Sequence, residues 1–522
     1  MQATPIVVGR VLYSTTPALA VVALRADSGT LVWKFDPFAK GPRETHVNRG
    51  VAYWAEGDER RIFFSAGRRL YALDARTGIP IPTFGDSGWV DLGAGLGRDI
   101  GDAYVVATTA GAVYQDLLIQ GTRVGEGEGS APGDVRAYDV RTGRIAWTFH
   151  TIPRPGEAGH ETWPPDAWQR AGGANSWAGM TVDVERGIVY VPTGSATPDF
   201  YGGGRIGANL FANTLLALDA KTGQRRWHFQ TVHHDLLDRD LPAAPNLVTL
   251  SREGRRVDAI AQITKTGFVF VFDRATGAPL FPVEERPVPR SDLRGEQSWP
   301  TQPIPLKPAP FARQSISEAD LTDISPAAHA AALRRFRTLR PDAPFTPPSR
   351  EGSIVLPGFD GGGEWGGAAV DRESGVLYVN ASDVPWIAAM RETTPLPAAS
   401  AASRGTGAGA GAGAGRLVYE ATCVGCHGED RRGNDRAASL VGIGTRLTAE
   451  QIRQVIERGR GFMPAFAMLR EEDMRAVIEY LTGRQADPAP PPDPGAAAQS
   501  ATRSKAPVAP YEFAGYERWR DS

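Results

Sequence analysis

Over residues 1–396 the apolar positions fall in short strand-like runs broken by turn residues, and the punctuation recurs. The unit reads ALRADSGTLVW at 23–33, ALDARTGIPIP at 72–82, AYDVRTGRIAW at 137–147, ALDAKTGQRRW at 217–227 and VFDRATGAPLF at 271–281. A degenerate copy, AVDRESGVLYV, lies at 369–379. Each copy predicts a strand, an Asp-x-x-(Thr/Ser)-Gly turn and a second strand. The Asp side chain caps the turn and the Gly takes the left-handed position. Asp27, Asp74, Asp139, Asp219 and Asp273 are 47, 65, 80 and 54 residues apart, which suits one four-stranded sheet per unit with variable loops. Trp33, Trp147 and Trp227 close three copies and are predicted to pack between neighbouring sheets. Repeats of this kind predict an all-β propeller, here with about six blade copies.

The pattern changes character in two places. Ser325 as a cap and Pro326 at the first helical position predict a helix over 326–339. Near the C-terminus the apolar spacing becomes helical at 448–459 (TAEQIRQVIERG) and 470–483 (REEDMRAVIEYLTG), with a further helix expected over 419–428. Two stretches flank this region. Residues 397–415 are Ala/Gly/Ser-rich and predict a flexible linker, and 487–510, rich in Pro and Ala, predict an extended one. A small all-α domain over 416–486 is thus tethered on both sides.

With 522 residues, 42% of them apolar, the chain can build a large core or more than one domain. A formal charge of −2 gives no basic excess, which argues against nucleic acid as a partner. No run approaches the length of an apolar membrane span. Met1–Pro5 leads straight into a strand-like IVVGRVLY, without a signal-peptide pattern.

Chemistry enters with Cys423-Val424-Gly425-Cys426-His427, which holds both cysteines of the chain. C-x-x-C-H is the attachment signature of a c-type haem: two thiols bind the macrocycle and His427 ligates iron. A redox dithiol has no use for the His, and zinc would need two more ligands close by. Methionine is scarce, with six residues, and Met463 follows His427 by 36 positions. A thioether opposite the His leaves iron no open position, which suits electron transfer, with Met468 as the second candidate. This region resembles a small cytochrome c domain. Covalent haem attachment is an extracytoplasmic process, so a periplasmic location is expected and the N-terminus is read as not the natural one.

The Asp-x-x-Thr-Gly-x-x-x-Trp form of the repeat resembles the quinoprotein dehydrogenases. That resemblance implies an eight-bladed propeller with pyrroloquinoline quinone (PQQ) at its axis. Residues 511–522, opening YEFAGY, resemble the family's return into the propeller after an inserted cytochrome. In relatives more blade sequence follows, so the resemblance implies a chain truncated at both ends.

The densest segment is Val232–Pro242 (VHHDLLDRDLP), with two of the eight histidines and three carboxylates. By itself it is equally a solvated loop with turn-capping aspartates. The family pattern is HHD-x-W-D-x-D-x-P, which implies that Asp238 is the general base for the alcohol hydroxyl. Leu237 replaces the family Trp, which implies a looser substrate wall. Asp240 is implied to influence which ion binds. Lys265, in Thr264–Gly267, matches the cation at the quinone oxygens, where a fixed charge stabilises the reduced form. Arg49, in Val47–Trp54, matches the Arg that binds a PQQ carboxylate. Many relatives precede it with a vicinal disulfide, where this chain has Glu44-Thr45-His46. Trp177 matches the indole floor of the cofactor, Thr109 a hydroxyl beside its carboxylates, and Glu364-Trp365 an Asn-Trp pair near the quinone. For the ion, expected to be Ca²⁺ or another divalent or lanthanide ion, the implied ligands are Glu126 (with Glu128 close behind), Ser195 where relatives carry Asn, Asp238 and Asp240. For the haem they are His427 and Met463. The whole implies oxidation of a small alcohol or sugar, with electrons leaving through haem c to an external cytochrome or quinone. The rival is a binding propeller with a tethered cytochrome, as in outer-membrane assembly lipoproteins. Such scaffolds have the repeats without Arg49, Asp238 and Lys265 together.

Overall fold

The computed structural model describes residues 2–41, 44, 46–101, 103–252, 254–340, 345–392, 415–416, 418–419, 422–428, 430–433, 437–458, 469, 471–483 and 510–518. The chain divides into two compact units, Met1–Ala389 with Tyr516–Ser522, and Met390–Gly515. Both predicted linkers lie almost wholly outside the described residues.

The first unit is a series of antiparallel meanders. Four of its sheets have four strands paired in sequence order, running Ile6–Phe35, Ala52–Asp91, Ala112–Phe149 and Thr181–Gln230. A three-stranded sheet follows over Asn246–Asp273. Beyond it come a hairpin of Val283–Pro287 with Thr301–Pro305, and another of Ala368–Val370 with Leu377–Val379. Ser353–Val355 pairs antiparallel with Trp386–Ala388.

The repeat turns fold as their residues dictate. Asp139 Oδ1 accepts from the Thr142 N–H at 2.7 Å and from its hydroxyl at 2.8 Å, and Asp74, Asp219 and Asp273 do the same. In the first copy the equivalent position is Arg25, and Asp27 instead pairs back with it. The closing tryptophans link successive copies. Trp33, Trp147 and Trp227 donate their indole N–H to Ala75, Ala220 and Arg274 carbonyls of the next turn. Each ring lies on the next copy's glycine: a Cβ on Gly78, Gly223 or Gly277 would sit 2.5–2.6 Å from it. Two copies depart from the strand–turn–strand pattern. After Asp74 and Asp273 the chain makes single bridges at Pro80 and Pro279, because prolines there supply no ladder N–H. In the Ala52–Asp91 sheet the fourth strand is the later Trp89–Asp91. The predicted helix forms over Pro326–Phe336, capped by Ser325 Oγ accepting from the Ala328 N–H at 3.1 Å.

In the second unit Ala449–Arg458 and Glu471–Thr482 are helices, within two residues of expectation. They bury Ile452, Ile456, Met474, Val477, Ile478 and Leu481 in one cluster with Val418 and Tyr419. Arg453 binds Glu471 bidentately at 2.7 Å per bond, fastening one helix to the start of the other. Among the described residues no helix is long and apolar enough to cross a membrane.

Candidate active site

Three loops bring the nominated residues together in the first unit. The first, 231–245, joins two sheets without regular structure and is shaped by its own side chains. Asp235 accepts from the Leu237 N–H at 2.9 Å and from the Arg239 N–H at 2.5 Å. His234 is fully buried; its Nδ1 donates to the Gly207 carbonyl and its Nε2 lies 2.8 Å from Glu296 Oε1. These anchors hold both His234 and Asp238 at positive φ, +44° and +54°, a backbone that disfavours their side chains. The loop thus presents Asp238 at fixed position.

The second loop is the Thr264–Gly267 turn that carries Lys265. Its ammonium is 3.0 Å from Asp238 Oδ2 and 3.4 Å from Asp240 Oδ2, and its side chain is 5% exposed. The third, Gly361–Trp365, packs directly on that turn. The Gly362 N–H donates to the Lys265 carbonyl at 2.7 Å, and a Cβ on Gly362 would lie 2.6 Å from Gly267 Cα. The glycines permit this approach, and Glu364 and Trp365 follow at its end.

Arg49 faces this group. Its backbone is pinned to Thr4 and Thr108, and its guanidinium lies 5.2 Å from the Trp177 ring centre and 5.3 Å from that of Trp365. Its Nε and Nη1 are buried with no hydrogen-bond partner among the described residues. Burial lowers its pKa to about 10. A cation beside two flat rings, with the charge of Glu364 near it and two N–H groups lacking a hydrogen-bond partner among the described residues, fits a planar carboxylate-bearing ligand such as PQQ. Trp177 also has the Lys265 ammonium 6.0 Å from its ring centre and donates its indole N–H to Asp240 Oδ2 at 2.9 Å. Thr109 does not present its proton to this space: its hydroxyl donates to the Trp177 carbonyl at 2.8 Å.

The carboxylates are driven in different directions. Burial drives the Asp238 carboxyl well above the usual range; Asp240 and Glu126 push the same way and Lys265 opposes them. Burial also acts on Asp240, but Lys265, the Ser195 N–H and the Trp177 indole outweigh it and hold its carboxyl below the usual range. Burial raises Glu364 too.

The nominated ion ligands each have protein partners. Glu126 is exposed and pairs with Arg123 at 3.1 Å. Ser195 Oγ donates to Asp235, and Asp240 is occupied by protein donors. Among the described residues no three acidic, histidine or cysteine side chains are arranged to hold a metal ion. Sequence reasoning missed Asp199. It is 4% exposed and its carboxyl is raised by burial and by the charges of Asp238, Glu126, Asp240 and Asp235. Its only signal was a position next to Pro198, which reads as a turn. Leu237 is also placed differently from the expected open wall: it is 3% exposed and lines a small cavity with Trp299 and Phe345.

In the second unit, His427 is buried on the short helix Val424–His427 and donates from Nδ1 to the Ala438 carbonyl at 2.8 Å. That bond fixes the tautomer and leaves Nε2 for iron, so the residue fits a haem ligand. Cys423 lies one turn earlier on the same short stretch. The side chain of Cys426, and Met463 and Met468 altogether, lie outside the described residues.

Residues 1–424 match the family described as glucose/ethanol/alcohol dehydrogenase, beta-propeller domain. Residues 410–481 match the cbb3-type cytochrome c oxidase subunit III family. The chain is 33% identical to a quinate/shikimate dehydrogenase (quinone) of Acinetobacter baylyi, over 75% of this chain and 51% of that one. It is equally 33% identical to the quinoprotein glucose dehydrogenase of Escherichia coli, over 74% and 50%. A solved quinohemoprotein alcohol dehydrogenase of Pseudomonas putida aligns with a TM-score of 0.54 and 26% identity, over 74% of this chain and 52% of that one. The chain spans about half the length of the curated relatives it matches.

Proposed function

The chain belongs to the PQQ-dependent β-propeller dehydrogenases and carries a cytochrome c domain toward its C-terminus; from that premise we propose that it oxidises an alcohol or sugar hydroxyl at Asp238 and delivers the electrons through haem c to an external cytochrome or quinone. The observation that carries the reading is Arg49, a half-buried arginine close to the rings of Trp177 and Trp365 whose Nε and Nη1 have no hydrogen-bond partner among the described residues, on the same Trp177 ring that the Lys265 ammonium approaches. PQQ, when bound, supplies a two-electron quinone acceptor.

The protein's own groups do the rest. Arg49 binds a carboxylate of the cofactor, and Trp177 and Trp365 offer flat apolar faces to its rings. Lys265 places a permanent charge where negative charge develops, already oriented by two carboxylates. Asp238 meets Lys265 through Oδ2 alone among the described residues, which leaves Oδ1 to take the substrate hydroxyl proton. A carboxyl held above its ordinary range is a stronger base than a free one, which suits that role. The base chemistry here rests on Lys265 and burial. An ion such as Ca²⁺ is expected from the family, and the charges of Glu126 and Asp240 already act on Asp238. A periplasmic location goes with covalent haem.

The test is a panel of alcohols, polyols and sugars with a dye acceptor, using the full chain loaded with PQQ and Ca²⁺. Arg49→Ala should lose PQQ binding. Equal PQQ binding by Arg49→Ala and wild type would remove the reading's main support.

A further inference from the structure

Resting on the PQQ reading above, we propose that Asp240 is a positioning residue, which fixes the Trp177 indole and the Lys265 ammonium, and is not a ligand of the ion. The case is an accounting of lone pairs. Asp240 Oδ1 accepts from the Ser195 N–H at 2.6 Å. Its Oδ2 accepts from the Trp177 indole N–H at 2.9 Å and faces Lys265 Nζ at 3.4 Å. Three donors take most of the carboxylate's acceptor sites, and a cation there would compete with buried donors already in place.

The backbone around it is built for this use. A Cβ on Gly194 would lie 2.5 Å from Asp240 Oδ1, so the glycine is what lets the chain close on the carboxylate. The next residue contributes its backbone N–H, which any residue could supply. Its hydroxyl donates to Asp235 and also helps lower the Asp240 carboxyl.

The consequence falls on Trp177. Its carbonyl is held by the Thr108 and Thr109 hydroxyls at 3.0 and 2.8 Å, and its indole by Asp240 at the other end. Both the backbone and the indole of the residue that offers the cofactor a flat face are fixed before the cofactor arrives. Without Asp240 the indole N–H would lose its partner and the Lys265 ammonium would turn wholly to Asp238. The two aspartates then divide the work: Asp238 keeps an oxygen for chemistry, and Asp240 spends both on order.

The experiment compares wild type, Asp240→Asn, Trp177→Phe and the double variant as full chains with PQQ removed. PQQ binding is followed by absorbance at saturating Ca²⁺, and Ca²⁺ binding by titration at saturating PQQ. Trp177→Phe keeps an aromatic face, smaller than the indole, and deletes the N–H. Asp240→Asn and Trp177→Phe should each weaken PQQ binding about 10-fold or more, the double variant should be less than additive, and Ca²⁺ affinity should move by less than about 3-fold. A 10-fold or greater loss of Ca²⁺ affinity with PQQ binding intact in Asp240→Asn would make it an ion ligand and overturn the proposal. So would additive single effects, or no effect on either titration. Melting curves identify a variant that fails to fold, in which case Asp240→Glu, which keeps the charge, is scored by the same two titrations. If wild type itself binds no PQQ, the underlying reading fails, and this inference with it.

Discussion

Asp238 and Asp240 are two positions apart on one loop, yet their surroundings drive them in opposite directions. Asp240 gathers three donors, whereas Asp238 has one, and burial with like charges dominates it. A base whose carboxyl is raised loses activity as pH falls through that raised value, so kcat/KM should show an acid limb above the ordinary carboxylate range. Asp238→Asn should remove that limb and lower kcat by about 10²–10⁴-fold, with PQQ occupancy near wild type. Full turnover in that variant would place the base elsewhere. Asp199 gives a stability prediction. Its carboxyl is raised, so the folded state favours the protonated form. Its contribution therefore weakens as pH rises from the unfolded carboxylate value through the raised one. Asp199→Asn should raise the melting temperature of the cofactor-free protein at neutral pH and leave it nearly unchanged in acid. Parallel melting curves across pH would refute this.

At the scale of the element, the propeller repeat works because one glycine satisfies two demands. Gly223 lies at φ +72°, and its missing Cβ is the space in which the Trp147 ring packs. Gly223→Ala should cost backbone strain plus overpacking, about 1–3 kcal/mol for the latter. Gly57 is the control: it has φ +55° with no atom within 4 Å of a Cβ, so Gly57→Ala should carry only the backbone cost. Urea midpoints measure both, and equal shifts would show that the Trp–Gly contact adds nothing. The same logic explains the irregular sheets. Where the repeat offers Pro80 or Pro279 instead of a residue with an N–H, the fourth strand is displaced or missing among the described residues.

For the molecule as a whole, the C-x-x-C-H segment and the buried His427 predict a haem that survives acid–acetone extraction. Release of haem under those conditions would disprove covalent attachment. In the loaded protein, substrate should reduce the haem, whereas in Asp238→Asn dithionite should reduce it and substrate should not. Haem reduction by substrate at the wild-type rate in that variant would separate the cytochrome from the proposed chemistry.

The sequence by itself determined what is local: the Asp-capped turns, the helix capped by Ser325 and the haem attachment segment. These depend on hydrogen bonds a few residues long, or on a motif whose chemistry is complete within five positions. The family resemblance added Arg49, Trp177, Asp238 and Lys265 as names, without their relation. Only the tertiary structure decided that Arg49 lies close to Trp177 and Trp365, that Asp240 is engaged by Trp177, Ser195 and Lys265, and that Asp199 joins the acidic group. Each of these depends on segments distant in sequence meeting in a space from which water is largely excluded. There a side chain's role is set by which neighbours replace its water, and spacing along the chain carries no record of that.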